Sequence, residues 1–304
     1  MLRHRLGIVL PTALAPAVWG STYLVTTELL PPDRPLLAGV LRCLPAGLLL
    51  VALTRRLPRG DWWWRALVLG ALNIALFQAL LFVAAYRLPG GIAATVGAVQ
   101  PLVTAALSAA LLGERITLRT VLSGIAGVAG VSLLVLRAGA RLDAVGLAAA
   151  VGSAVVMAAG LVLAKRWVSP APVLATTGWQ LTAGGLLLVP AALVVEGAPP
   201  SHLTGTNVLG YLYLSLVGAA LTYVLWFRGL RALPPNSVSF LALLSPVVAT
   251  ALGWLVLGQD LTPLQVLGAL VVLGSLVAAQ RQRPRTTAAT QAGPAPKPSV
   301  HENV

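Results

Sequence analysis

The chain has 304 residues, 58% of them hydrophobic and only 10% charged, with a formal net charge of +13. Soluble domains carry roughly 45–50% apolar and about 25% charged residues, so the composition excludes a water-soluble fold. The lone cysteine, Cys43, permits no intramolecular disulfide, and His4, His202 and His301 have no metal-ligand spacing; no cofactor is expected.

Apolar runs fall at 6–27, 35–54, 66–86, 90–112, 118–136, 144–164, 172–195, 206–227, 236–257 and 263–280. About 20 residues at 1.5 Å rise cross a hydrocarbon core of roughly 30 Å, so ten transmembrane helices are expected in an all-α integral membrane protein. The first run follows Arg3 and Arg5 and passes Ala13-Leu14-Ala15, which outlines a secretory signal. It continues to Val25, and a retained first helix is the better reading.

In helix 1, Trp19 and Tyr23 stand four residues apart on one face, with Gly20 and Ser21 between them. Trp19 sits about eight residues, roughly 12 Å, inside the span, which points to an aromatic pocket wall rather than an interfacial belt. Helix 2 carries Arg42, the one basic residue clearly inside a span. A central arginine costs about 2.5–3.5 kcal/mol on insertion scales, so it is expected to pair, snorkel or serve function. Trp62, Trp63 and Trp64 open helix 3 among arginines and read as interfacial anchors, while Gln78 lies deeper in that helix.

Helix 4 contains Gln100 and Pro101. Proline lacks an amide hydrogen and frees the carbonyl four residues earlier, at Gly97, so Pro101 either kinks the helix or lines a cavity. Pro246 does the same to Ala242 in helix 9. Glu114, beside Arg115 at the end of helix 4, reads as a solvated ion pair or a possible gate. Trp179 and Gln180 in helix 7 and Tyr223 and Trp226 in helix 8 complete the polar or amphipathic groups at depth. Gly124, Gly127 and Gly130 in helix 5, with Gly268 and Gly274 in helix 10, are expected to allow close helix packing. Beyond Gln280 the chain is rich in Pro, Thr and Ala without an apolar period, and 281–304 is expected to be a disordered cytoplasmic tail.

Residues Leu88 to Leu122 reappear without a gap 145 positions later as Leu233 to Leu267, with 11 of 35 positions identical. Leu88-Pro89, Pro101, Gly113 and Thr117 match Leu233-Pro234, Pro246, Gly258 and Thr262. Five helices separate the copies, and an odd number inverts the second across the bilayer. The expected units are 1–139 and 140–280, two inverted five-helix repeats. Between the early helices the offset is 138, because Ala46-Gly47-Leu48 aligns with Gly184-Gly185-Leu186, which sets Gln180 opposite Arg42. Gln78 and Tyr223 share the 145 offset. With the N-terminus in the cytoplasm, sixteen of 21 basic residues fall on the inner side and only Arg34, Arg87, Arg137 and Arg141 on the outer. The positive-inside rule then places both termini in the cytoplasm and explains the basic charge without nucleic acid.

Trp19-Gly20-Ser21-Thr22-Tyr23, Arg42, the run from Leu88 through Pro101 to Gly113-Glu114-Arg115, and Pro246 to Gly258 resemble the EamA-like branch of the drug/metabolite transporter superfamily. The second copy departs from the pattern, reading Gly258-Gln259-Asp260 where Gly-Glu is usual. The resemblance implies a plasma-membrane carrier that exports or exchanges a small organic solute. No carboxylate sits mid-span, which favours an uncharged, zwitterionic or aromatic metabolite, amino-acid-like in size. The substrate pathway is expected to use Trp19, Ser21, Tyr23, Arg42, Gln78, Gln100, Trp179, Gln180, Tyr223 and Trp226, with Pro101 and Pro246 as hinges. No hydrolase elbow, zinc-protease motif or phosphate-binding loop is present, so an enzyme is not expected. A non-transporting membrane scaffold is the alternative.

Overall fold

The computed structural model describes residues 2–88, 90–135 and 143–280. Pro89, Arg137, Arg141, the tail expected at 281–304 and the side chain of Tyr23 lie outside what it describes. Ten helices among the described residues are long and apolar enough to cross a membrane. They are α1 (Leu6–Leu29), α2 (Pro35–Thr54), α3 (Trp62–Leu81), α4 (Ala94–Leu112), α5 (Leu118–Val135), α6 (Ala144–Arg166), α7 (Val173–Glu196), α8 (Gly205–Ala232), α9 (Pro235–Leu257) and α10 (Pro263–Gln280). Boundaries differ from the sequence reading by up to five residues. Helix α3 begins at Trp62 and not at 66, and α8 runs to Ala232 and not 227. In α8, Arg231 lies in the last turn, where a cation complements the exposed carbonyls of a helix C-terminus.

Short loops make successive helices antiparallel and define two ends of the bundle. The basic end carries loops 55–61, 113–117 and 167–172; the opposite end carries loops 30–34, 197–204 and 258–262. Helix α2 packs on α7 and α5 on α10, while α3 and α4 both pack on α6, and α8 and α9 both pack on α1. Adding five to both members, counted around the ten helices, turns each pair into itself or into another of the set. Lipid removes the hydrophobic drive for helix association, so small residues that admit close backbone approach set these contacts. A methyl group on Gly47 would meet the Thr182 backbone nitrogen, and one on Gly185 would meet the Leu44 backbone. The two crossings are reciprocal, since 44 and 47 map to 182 and 185 at the 138 offset. Gly130 and Gly268 likewise face each other's carbonyls. Gly274, expected at a packing face, has nothing among the described residues within 4 Å of where a methyl would stand.

Several helices are interrupted. Helix α1 breaks at Ser21. At the prolines, α4 is interrupted at Ala98–Val99 and α9 at Ala242–Leu243 by i→i+3 turns, so each proline falls in the first turn of the segment that follows. That placement avoids the clash of the ring with the carbonyl one turn back, because the missing amide is an orphan there anyway. Helices α3 and α8 each contain a π-helical turn, at Ala71–Leu76 and Leu216–Leu221. The two turns are 145 residues apart, the same offset as the sequence repeat.

Candidate functional site

The interruptions of α4 and α9 line one cavity of about 340 Å³, together with Trp19 and Thr22 on either side of the break in α1. Its floor is aromatic. The Trp19 ring lies 5.2 Å from Tyr223 and 5.0 Å from Trp226, tilted at 50° and 55°. Below that floor, Phe227, Leu230, Leu233, Val238 and Leu241 are all buried in the core, which seals the cavity from the basic end. Above it the wall climbs along α1 and α2 to Thr27 and Pro35 at the opposite end, where Thr27 is exposed.

The π-turn in α8 gives the floor its polar centre. A π-turn displaces a carbonyl from the regular ladder, and Gly218 presents that carbonyl to three side chains. Arg42 donates from Nε (3.2 Å) and Nη2 (2.8 Å), Trp19 from Nε1 (3.1 Å) and Thr222 from its hydroxyl (2.8 Å). Trp19 Nε1 also donates to the Thr222 oxygen at 3.0 Å. The matched π-turn in α3 carries Asn73 at the position equivalent to Gly218. Asn73 donates to Gln180 Oε1 at 3.0 Å, and Gln180 is the residue aligned with Arg42. Both pairs therefore occupy corresponding places in the two halves, one with a charged arm and the other with a neutral amide.

Of the residues expected on the pathway, Trp19, Arg42, Gln78, Gln100, Tyr223, Trp226, Pro101 and Pro246 line the cavity. Gln78 donates to the Cys43 sulfur at 3.4 Å, whereas Gln100 Nε2 is buried without a hydrogen-bond partner. Three others are placed elsewhere. The Ser21 hydroxyl bonds the Tyr213 hydroxyl at 2.7 Å and pins the break in α1 to α8. Trp179 faces the basic end, donating to the Arg56 carbonyl at 2.7 Å and packing on Trp62. Gln180 is buried against Asn73 and lines no part of the cavity. Tyr23 lies on α1, its side chain outside the described residues. Trp62 is buried at 9% exposure and belongs to the core, so only Trp63 and Trp64 fit the expected anchors.

Glu114 is half-buried at the basic end. Burial raises its carboxyl above the ordinary glutamate range, and the charge opposing that shift belongs to Lys165, not to its neighbour Arg115. Lys165 donates to the carbonyls of Leu230, Arg231 and Leu233 at 2.8–3.0 Å, closing the C-terminus of α8. At the opposite end Glu196 accepts from the backbone amides of Leu36 and Leu37 at the start of α2, and Asn207 donates to the Leu29 carbonyl. Asn73, Gly218, Thr222 and Lys165 were not singled out from sequence. The 145 offset pairs Asn73 with Gly218, so extending the repeat back through helix 3 reaches two of them.

Ten membrane-length helices, several interrupted around a cavity with a polar floor, define a multi-pass membrane protein with a solute-sized chamber. The chain belongs to the EamA-like transporter family, whose model matches residues 6–136 and again 144–279. It is 46% identical over 268 residues to Protein PecM of Dickeya dadantii, covering 88% of this chain and 90% of that one. It is 31% identical over 279 residues to a protein of Salmonella typhimurium described as a probable amino-acid metabolite efflux pump, covering 86% and 91%. A solved crystal structure superposes with a TM-score of 0.76 at 21% identity, covering 90% of this chain and 97% of that one, so the two share a fold.

Proposed function

We propose that the protein is a secondary carrier of the cytoplasmic membrane that exports a small, amino-acid-like organic solute by alternating access between two inverted halves, 1–139 and 140–280. The cavity carries this reading: it is sealed at the basic end by packed aliphatic and aromatic side chains and lined up to the opposite end. With the basic end in the cytoplasm, as the positive-inside rule favours, the state described here faces outward. The inverted arrangement rests on the 145-residue repeat, the two family matches, the helix pairs related by adding five, and the matched Arg42–Gly218 and Gln180–Asn73 contacts. Export and an amino-acid-like solute rest on the description of the Salmonella relative. Broken helices around a midplane cavity are how transporters let irregular backbone face a solute instead of lipid.

The test is flux of a panel of radiolabelled metabolites into liposomes holding purified protein, with and without a proton gradient. Saturable uptake of at least one metabolite, lost in Trp19→Ala at equal protein content, is expected. Absence of flux across the panel favours the scaffold and overturns the carrier. Accessibility labelling of single cysteines in loops 55–61 and 197–204 tests the topology: the first must react from the cytoplasm and the second from outside.

A further inference from the structure

Among the described residues, Arg42 is the only charged side chain lining the cavity, and none of the lining residues is an aspartate or glutamate. Its guanidinium has five N–H donors, and it spends Nε and Nη2 on one neutral carbonyl. Among the described residues, nothing accepts from Nη1 and no carboxylate balances the charge. Arg42 also escapes the ion-pair explanation at the surface: the ion pairs formed among the described residues are Arg65–Asp61 and Arg87–Asp143. A second donor, Gln100 Nε2, lines the same cavity buried and unpartnered. The remaining floor is apolar and aromatic, made by Trp19, Tyr223 and Trp226.

We infer that the cavity binds an organic anion, with Arg42 as counter-ion to a carboxylate or equivalent single negative charge, Gln100 as a further donor, and the aromatic floor receiving the apolar body. This deepens the carrier reading and rests on it for the cavity's role. A planar fork fits a carboxylate bidentately, and charge-assisted hydrogen bonds are about twice as strong as neutral ones. A cationic solute meets the opposite situation: it enters a low-dielectric chamber whose sole fixed charge repels it, with no acid to pair with.

Three probes that share one phenyl ring separate charge from shape: phenylacetate, phenylacetamide and phenethylamine, titrated calorimetrically into purified full-length protein. Phenylacetate is expected to bind about tenfold or more tightly than phenylacetamide, with phenethylamine weakest. In Arg42→Gln the preference for the anion over the amide is expected to fall to within about twofold, and Gln100→Leu is expected to reduce it in part. Should Arg42→Gln fail to fold, the wild-type order alone still decides. Equal binding of anion and amide, preference for the amine, or no binding of phenylacetate overturns the inference. Uptake of the same probes into liposomes keeps the two readings apart. Anion-selective binding with no flux of these probes or of the metabolite panel sinks the carrier and leaves the anion site, whereas flux of phenethylamine but not phenylacetate leaves the carrier and removes the anion site.

Discussion

Gly47 and Gly185 fix the approach of α2 to α7, and alanine at either position tests how rigid that crossing is. The added methyl on Gly47 meets the backbone nitrogen and hydroxyl of Thr182; on Gly185 it meets Cα and the backbone nitrogen of Leu44. Backbone atoms inside a helix cannot rotate aside, so the helices must separate. Overpacking of this kind costs about 1–3 kcal/mol, and replacing a helical glycine by alanine returns about 0.5–1 kcal/mol. At the midpoints of these ranges the net loss is about 1.25 kcal/mol for each change, or roughly 2.5–5 °C in melting temperature at about 2–4 °C per kcal/mol. Gly274→Ala is the control, because nothing among the described residues lies near its added methyl, and it should melt with the wild type or above it. Both methyls wedge one interface, so the double variant should lose less than the sum. Cys43 serves as reporter: it is fully buried one turn from Gly47, and a thiol-reactive fluorophore reaches it only when α2 comes away. Equal melting of Gly47→Ala and wild type, or strict additivity in the double variant, refutes the reasoning.

Trp19→Phe keeps a ring in the floor but removes the donor to Gly218 and Thr222. Arg42 and Thr222 still serve that carbonyl, so the expected stability loss is about 0.6 kcal/mol, the membrane average per interhelical hydrogen bond; a loss above 2 kcal/mol in chemical unfolding contradicts the network. Asn73→Ala strips Gln180 Oε1 of its donor in a buried site and should cost about 1–3 kcal/mol, most of it recovered when Gln180→Met is added; a double variant as unstable as the single rejects this account. For Glu114 the folded pKa lies above the unfolded value, so the folded protein holds the proton more tightly and stability falls as pH rises from about 4.3 through the raised folded value. Glu114→Gln removes that dependence, and a melting difference between the two proteins that is flat across this range shows the carboxyl to be unperturbed.

The ten helices were legible because lipid imposes length and apolarity on each segment independently, and those are local properties of sequence. Pro101 and Pro246 were legible as sites of disruption for the same local reason, and i→i+3 turns stand just before both. The π-turns were not legible: Ala71–Leu76 and Leu216–Leu221 contain no proline and share no polar residue, Asn73 standing opposite Gly218. Depth also misled where packing decides. Trp179 and Gln180 sit at pathway depth, but α7 turns them toward Arg56 and Asn73, away from the cavity. Glu114 was read against its sequence neighbour because Lys165, 51 positions on, is brought near only by the packing of α4 against α6.

The two matched crossings differ in what water can reach, and that difference accounts for the residue each carries. Asn73 and Gln180 are 1% and 4% exposed, a dry contact in which Asn73 Nδ2 donates to Gln180 Oε1, Gln180 Nε2 turns to the Thr176 carbonyl and Asn73 Oδ1 is left without a partner. Arg42 lines the cavity, where water or a solute solvates the guanidinium face that Gly218 leaves free. A charge belongs in the wet crossing and not in the dry one, since an unpaired buried charge costs several kcal/mol while a cavity-facing one is largely relieved. Gln180→Arg should therefore remove most of the protein that elutes as a single folded species in size-exclusion chromatography, because its guanidinium meets Asn73 with no carboxylate near. Arg42→Gln, the reverse exchange, should accumulate close to wild-type amount. Equal yields for the two variants would mean that the crossings are alike in solvation, and that the arginine stands in the first half for some reason other than the water above it.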